Sequence, residues 1–213
     1  MELFQNLPID EYMWDWEGKF VDESVGERIF LRAHEFFKER VLGRDLYLTY
    51  RIPAWEQGKS HRMARSFMNV LSLADLAHEI KLPQPPVTEF FLPLCTSADQ
   101  LLAVRSAFRE VADYHRLIFH GSAEEERVLL SLVRVTPLVE DVDSLFSIEK
   151  ILEPYWWSLV TEDGSSATRG QRVFVARSDP AMNSGVVPAV LALKSALSTV
   201  HGLGERFGFP VYP

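Results

Sequence analysis

Residues 88–119 read TEFFLPLCTSADQLLAVRSAFREVADYHRLIF, and the predicted fold rests on this stretch. Its beginning, TEFFLPLC, is an almost continuous apolar run, which is typical of a parallel strand buried on both faces. The remainder has the pattern of a long helix, and we expect Ser97 or Asp99 to cap its first turn. A buried strand followed directly by a helix is the repeating unit of α/β folds.

The same order of strand and helix extends from this stretch in both directions. Further strands are predicted at EYMWDWEG (11–18), DLYLTYRIP (45–53), VLLSLVRVTPLVE (128–140) and QRVFVARSD (171–179). Further helices are predicted at 22–43, where Gly43 stops the helix, and at 61–80, 141–160 and 180–208. The polar stretch TEDGSSATRG (161–170) is expected to be a loop. The fold class is therefore predicted to be α/β with a parallel sheet.

The length of the chain and the number of predicted strands indicate which kind of α/β fold is present. A (β/α)8 TIM barrel has eight strands and about 250 residues, whereas about six strand candidates are visible here. We predict one α/β domain over residues 1–213, of the TIM-barrel type but incomplete. An open parallel sheet remains the alternative, because hydrophobic periodicity does not distinguish the two. No glycine-rich phosphate loop of the dinucleotide-binding type follows the first strand.

Composition excludes several classes of protein. The chain is 47% hydrophobic and 24% charged, which fits one well-filled core and excludes disorder, collagen and coiled coil. Its formal net charge of -8 argues against a nucleic-acid partner, because binding to phosphates depends on clustered Lys and Arg. A single cysteine, Cys95, rules out a disulfide framework, and we expect it to be a small buried residue. No continuous apolar run reaches a membrane span, and the N-terminal sequence does not resemble a leader, so we expect a cytoplasmic protein.

Polar residues follow each predicted strand, where functional groups lie in parallel α/β folds. They are Asp15, Glu17, Lys19, Arg51, Thr96, Ser97, Glu140, Asp141, Asp143, Arg177, Ser178 and Asp179. Carboxylates and arginines in such positions suggest a cation and an anionic substrate. The six histidines (His34, His61, His78, His115, His120 and His201) instead fall in or just after predicted helices and lack metal-ligand spacing, so we expect most of them to be partly exposed.

Several of these residues also have a structural interpretation. Asp141 or Asp143 can cap the helix that follows, and the sequence Ser178-Asp179-Pro180 is a common way to open a helix.

Arg51 and Glu140 are the stronger candidates for function. Arg51 can form a surface salt bridge, but a planar guanidinium is well suited to bidentate binding of phosphate or carboxylate. Glu140 directly precedes another acid, and two adjacent carboxylates repel each other unless a cation or water screens them.

Five stretches occur in the order in which they are found in one enzyme family. They are YMWDWEGKFVD (12–22), DLYLTYRIP (45–53), FFLPLCTSADQLLAV (90–104), VTPLVEDVDSL (135–145) and RVFVARSDPAMNSG (172–185). With them, nearly the whole chain resembles the archaeal-type phosphoenolpyruvate carboxylases. The resemblance implies an (α/β) barrel and, for the full-length family, a homo-oligomer. It also implies a reaction that joins phosphoenolpyruvate to bicarbonate and gives oxaloacetate and phosphate.

The resemblance also implies roles for particular residues. Glu140 and Asp179 would hold Mg²⁺ or Mn²⁺, and Arg51 would face the substrate as a catalytic and binding residue. Arg177 and Ser178 would also bind substrate. The roles of Asp15 and Glu17 stay open between function and structure.

The chain departs from the family pattern at both ends. A TQHPDN-like motif, whose histidine serves carboxylation, does not precede the WDWEGK segment, and a GSLPFRGG-like stretch does not follow residues 211–213. We therefore expect an internal piece of such an enzyme that is nearly inactive by itself, because loss of a positioned group costs about 100-fold or more in rate. Two alternatives remain: another metal-dependent barrel lyase or aldolase acting on pyruvate-like acids, or a non-catalytic barrel piece that pairs with another chain.

Overall fold

The computed structural model describes residues 2–17, 22–55, 60–119, 133–163 and 170–213. The chain divides into two compact units. Unit 1 comprises Met1–Phe90 and Ser106–Arg134, and unit 2 comprises Phe91–Arg105 and Val135–Pro213. A single domain over residues 1–213 stays a prediction.

Strands and helices alternate through most of the described chain. The first half contains α1 (Glu2–Asn6), β1 (Glu11–Asp15), α2 (Val25–Glu39), β2 (Tyr47–Arg51), α3 (Ser60–Glu79), β3 (Glu89–Leu92) and α4 (Ala98–Phe119). The second half contains β4 (Arg134–Val139), α5 (Val142–Phe146), α6 (Ile148–Asp163), β5 (Gln171–Arg172), β6 (Phe174–Val175), α7 (Ser178–Ser184), α8 (Val186–Phe207) and β7 (Val211–Tyr212).

The strands pair within each unit, and in unit 2 β5 and β7 form a two-stranded sheet. In unit 1, β1 and β2 are parallel, with Asp15 opposite Arg51. In unit 2, β4 and β6 are parallel, with Val139 opposite Val175. The predicted α/β class with a parallel sheet is therefore confirmed, whereas the TIM-barrel type stays a prediction.

The stretch from 88 to 119 folds as its sequence predicts. All four residues of β3 are buried. Before α4, the Ser97 hydroxyl accepts a hydrogen bond from the Gln100 N–H (3.4 Å), and Gln100 Oε1 accepts bonds from the N–H groups of Thr96 (2.8 Å) and Ser97 (3.3 Å). This is a reciprocal capping box, so Ser97 rather than Asp99 caps the helix. Thr96 and Ser97 thus have structural roles.

Each unit has an aromatic cluster in its core. In unit 1, the rings of Phe67, Phe90 and Phe108 lie 5.0–5.6 Å apart between centroids. In unit 2, Trp156 lies edge-on to Phe207 and Phe209 at 5.8 and 5.0 Å. Large rings in edge-to-face contact bury much apolar surface per residue, which accounts for the compactness of each unit.

Gly43 does not end the second helix as predicted, because α2 already ends at Glu39. The Asp45 carboxylate accepts a hydrogen bond from the Val41 N–H at 2.9 Å and so stabilises a turn after the helix. Gly43 lies within this turn with φ +86, where an added Cβ would come within 2.8 Å of the Pro85 carbonyl oxygen. The glycine is therefore required by the turn, not by the helix end.

Three other boundaries differ from the predictions. The helix predicted at 141–160 is interrupted at Ser147, and the helix predicted at 180–208 is interrupted at Gly185, which has φ 89. The strand predicted at 171–179 is divided at Val173 and ends at Val175. Of the strand predicted at 128–140, residues 134–139 form β4, and the part before 133 lies outside the described residues. The predicted loop at 161–170 also lies mostly outside them, and its first three residues are helical.

Two side chains test the predictions about burial. Cys95 is buried as expected, and this burial raises the pKa of its thiol to about 12. Most of the histidines were expected to be partly exposed, and the described ones are at least partly exposed except His115, whose side chain is 5% exposed and whose Nε2 lies 3.2 Å from the Asp75 carboxylate. His120 lies outside the described residues.

Helix α8 is long and apolar enough to cross a membrane by length and composition alone. Its buried face (Ala189, Ala192, Ala196, Val200, Leu203 and Gly204) repeats every three or four residues, which is typical of a helix packed on one side. Its remaining surface is largely exposed, with 28% of its apolar window buried. A single helix of this kind is weak evidence for a span, and the absence of a membrane partner stays a prediction.

Candidate functional site

The ends of β1 and β2 in unit 1 carry an ion pair. Arg51 donates from Nε to Asp15 Oδ1 at 2.9 Å and from Nη2 to Asp15 Oδ2 at 2.6 Å. The two side chains are 26% and 18% exposed, so water screens this pair less than a surface pair. Asp15 and Arg51 are the last residues of parallel neighbours, and the strand register therefore places them side by side.

The segment after β1 also binds the backbone that follows β2. Glu17 Oε2 accepts a hydrogen bond from the Ala54 N–H at 2.7 Å, and the Glu17 N–H donates to Asp15 Oδ1 at 3.0 Å. Between them, the Trp16 N–H donates to the Arg51 carbonyl oxygen at 2.8 Å. Asp15 and Glu17 thus have structural contacts, and Lys19 lies outside the described residues.

Glu140 lies directly after β4 in unit 2 and is half-buried. One of its oxygens, Oε2, accepts a hydrogen bond from the Leu94 N–H at 2.8 Å. Leu94 has φ 52, a left-handed conformation that is uncommon for a residue other than glycine. The neighbouring Cys95 N–H donates to the Leu138 carbonyl oxygen at 3.1 Å. Glu140 therefore helps to fix the turn between β3 and α4.

The two other carboxylates in this loop differ from Glu140. Asp141 Oδ1 accepts a hydrogen bond from the Ser144 N–H at 2.7 Å and caps α5, as its structural interpretation predicts. The side chain of Asp143 is exposed in the first turn of α5. Glu140 is thus the carboxylate of the three that lies at the strand end itself.

Arg177, Ser178 and Asp179 are exposed at the start of α7. Arg177 occupies the position before the helix and makes no capping bond with its side chain. The helix opens with Ser178-Asp179-Pro180 as its sequence predicts, and Pro180 is buried. The Ser178 hydroxyl lies 3.5 Å from Asp179 Oδ2, which is a weak contact.

Strand register brings Glu140 and Asp179 to the same edge of unit 2. Val139 pairs with Val175, and the Ala176 N–H donates to the Val139 carbonyl oxygen at 2.9 Å. Glu140 follows the first of these strands directly, and Asp179 is the second residue of the helix after the second.

Two carboxylates are a donor set that magnesium and manganese ions use in proteins. Mg²⁺ uses one or two protein carboxylates and completes its octahedron with water and substrate oxygens. The described residues contain no group of three or more His, Cys, Asp or Glu side chains that would form an all-protein metal cage.

A cavity of about 300 Å³ in unit 2 lies elsewhere, at the carboxyl end of α8. It is lined by His201, Gly204, Glu205, Gly208, Phe209, Pro210 and Val211. None of the predicted site residues contributes to it.

A model of the family described as phosphoenolpyruvate carboxylase matches residues 1–213. The chain belongs to this family. The resemblance inferred from the five stretches is therefore confirmed.

Curated phosphoenolpyruvate carboxylases from several organisms align with the whole chain. The protein from Leuconostoc mesenteroides is 32% identical over 213 residues, which are 100% of this chain and 41% of that protein. The proteins from Metallosphaera sedula and Pyrococcus horikoshii are 34% and 33% identical, over 99% of this chain and 42% and 45% of their own length. The chain thus spans about two fifths of the length of these relatives.

Two contacts at the strand ends of this chain were not predicted from its sequence. One is the pairing of Asp15 with Arg51, and the other is the bond from the Leu94 N–H to Glu140. A signal for the first was present, since opposite charges end two successive strands. The second contact has a backbone N–H group in a turn as its donor, and the types of side chain in the sequence do not predict such a contact.

Proposed function

We propose that this chain forms part of a phosphoenolpyruvate carboxylase that joins phosphoenolpyruvate to bicarbonate and releases oxaloacetate and phosphate. The observation that carries the proposal is the family match over residues 1–213. The same proposal includes a cytoplasmic, homo-oligomeric enzyme with a (β/α)8 barrel and no nucleic-acid or membrane partner.

In this proposal, Glu140 and Asp179 hold Mg²⁺ or Mn²⁺. Their position after two paired parallel strands supports this role, because two carboxylates on one edge repel each other until a cation screens them. When bound, the ion would supply Lewis-acid stabilisation of negative charge on substrate oxygens. Glu140 would keep its bond to the Leu94 N–H through one oxygen and present its other lone pairs to the ion.

Arg51, Arg177 and Ser178 bind phosphoenolpyruvate in this proposal, with Arg51 as the catalytic arginine. A guanidinium pairs with phosphate or carboxylate oxygens through parallel N–H bonds and stabilises charge during phosphoryl transfer. Exposure of Arg177 and Ser178 at the start of α7 leaves both within reach of a ligand. Bicarbonate is the second substrate, and its binding residues are not assigned.

The test is a titration of the chain with Mn²⁺, followed by electron paramagnetic resonance, with and without phosphoenolpyruvate. Because coupling between two ligands is reciprocal, phosphoenolpyruvate should tighten Mn²⁺ binding and Mn²⁺ should tighten phosphoenolpyruvate binding. Pyruvate serves as the comparison ligand, since it lacks the phosphate. Equal effects of the two ligands would favour the lyase or aldolase alternative, and no effect of either would contradict the proposed site.

A further inference from the structure

We propose that Asp15 and Glu17 are positioning residues that hold Arg51 and the backbone after β2 in the arrangement that binds the substrate anion. The inference rests on the proposed function in one respect, namely that Arg51 binds phosphoenolpyruvate. It gives the WDWEGK segment a role that its sequence alone left open.

The first observation is the geometry of the guanidinium. Two parallel bonds to Asp15 fix both the position and the plane of the Arg51 side chain. They use the Nε donor and one Nη2 donor of the five N–H groups that a guanidinium carries. The plane of the guanidinium is therefore set before an anion arrives, which lowers the entropy lost on binding.

The second observation is that one carboxylate oxygen serves two purposes. Asp15 Oδ1 accepts bonds from both Arg51 Nε and the Glu17 N–H. Glu17 in turn binds the Ala54 N–H through its own carboxylate. The Arg51 side chain and the backbone three residues further on are thus held by one connected set of hydrogen bonds.

The third observation is the anchor between the two acids. Trp16 is 5% exposed, and its ring stacks on buried Tyr50 with centroids 5.8 Å apart. Asp15 and Glu17 flank this buried ring in the chain, and both are half-buried. The acids are therefore placed by packing and not by the ion pair alone.

Another Asp–Arg pair of unit 1 provides a matched control. Asp22 pairs with Arg28 at side-chain exposures of 53% and 54%, whereas Asp15 and Arg51 are 18% and 26% exposed. An exposed pair contributes little to order, because water competes for it and both side chains retain their freedom. Asp22→Asn should therefore leave phosphoenolpyruvate binding unchanged.

The test is a double-mutant cycle on phosphoenolpyruvate affinity in the presence of Mg²⁺, using Asp15→Asn, Arg51→Ala and both together. Each single change should weaken binding about tenfold or more, because a misplaced binding group loses most of its effect. The double variant should bind no more weakly than Arg51→Ala, because Asp15 acts through Arg51. A purely structural role of Asp15 would instead weaken binding by the same factor in both backgrounds, and that result would overturn the inference.

A second readout separates this inference from the proposed function. The Nε–H resonance of Arg51 in the ligand-free chain should be sharp, and it should broaden or shift in Asp15→Asn but not in Asp22→Asn. If the chain does not bind phosphoenolpyruvate while this signal depends on Asp15, the proposed function fails and the positioning by Asp15 stands. An Arg51 signal unchanged by Asp15→Asn overturns the positioning itself.

If Asp15→Asn does not fold, Glu17→Ala replaces it in the cycle. This change removes the bond to Ala54 without altering the Asp15–Arg51 pair. Weaker phosphoenolpyruvate binding in the folded Glu17→Ala chain supports the inference, and unchanged binding overturns it.

Discussion

At the ends of β1 and β2 in unit 1, the charged side chains bind each other and the neighbouring backbone. At the ends of β4 and β6 in unit 2, Arg177, Ser178 and Asp179 are exposed, and Glu140 accepts a hydrogen bond from the Leu94 N–H. The paired strands of unit 1 end in opposite charges, which attract, whereas those of unit 2 lead to two acids, which repel. The charged side chains at the edge of unit 1 are therefore held in place by each other. At the edge of unit 2, a bound cation would screen the repulsion between the two carboxylates.

The largest expected effect is on metal binding at the edge of unit 2. Glu140→Gln and Asp179→Asn should each weaken Mn²⁺ binding by about 100-fold or more, because loss of even an outer-shell partner costs 10- to 100-fold. Titration with Mn²⁺ by electron paramagnetic resonance measures this effect. Asp143→Asn, in the same loop, is the control and should bind Mn²⁺ as the unmodified chain does. Equal affinity for Mn²⁺ in all three variants would contradict the proposed metal site.

The next effect concerns stability at the edge of unit 1. Asp15→Ala leaves a partly buried guanidinium without its carboxylate, so it should lower the free energy of unfolding by about 2 kcal/mol. Asp22→Ala, in the exposed pair, should lower it by less. Urea unfolding followed by tryptophan fluorescence compares the two variants. A larger loss in Asp22→Ala would contradict the view that the edge of unit 1 is organised by Asp15.

A smaller effect distinguishes structural from ligand-binding acids in unit 2. Asp141→Ala removes the cap of α5 and should lower the free energy of unfolding by about 1 kcal/mol while leaving Mn²⁺ binding intact. Glu140→Gln should do the reverse, because the amide oxygen of Gln can still accept the Leu94 N–H. If Asp141→Ala weakens Mn²⁺ binding as strongly as Glu140→Gln does, the division of roles is wrong.

The smallest effect is a pH dependence in the loop before β2. The hydrogen bonds that Arg44 and the Val41 N–H donate to Asp45 lower the pKa of its carboxyl to about 2. A lowered pKa in the folded state stabilises the fold above the ordinary value of 3.8, and this contribution is lost as pH falls from about 4 to about 2. Acid unfolding of Asp45→Asn should therefore show a weaker pH dependence in this range. An unchanged pH profile would contradict the assignment.

Local patterns predicted the elements that depend on local interactions. The β3–α4 unit follows from an apolar run and a Ser-x-x-Gln cap, both of which are visible at 88–100. The break at Ser147 was missed because apolar residues continue on both sides of it, and the capping role of Asp141 was one of two open interpretations. Helix ends that depend on a turn, such as the one stabilised by Asp45, were also missed.

Contacts between distant residues were less predictable. The position of Arg51 at a strand end was predicted, but its pairing with Asp15 depends on strand register, which hydrophobic pattern alone does not supply. The burial of His115 likewise depends on Asp75 in a different helix. The candidate metal residues were identified through the family resemblance, and register within unit 2 supports their placement on one edge.

The contrast between the two edges is tested most directly by the amide resonances of the chain during a titration with Mg²⁺. We predict that the amides of Leu94, Glu140 and residues 177–179 shift, because the ion would bind the carboxylates of Glu140 and Asp179. The amides of residues 15–17 and 51–54 should stay in place, since their hydrogen bonds are already formed without the ion. Shifts concentrated at 15–17 and 51–54, or none at 140 and 177–179, would contradict it.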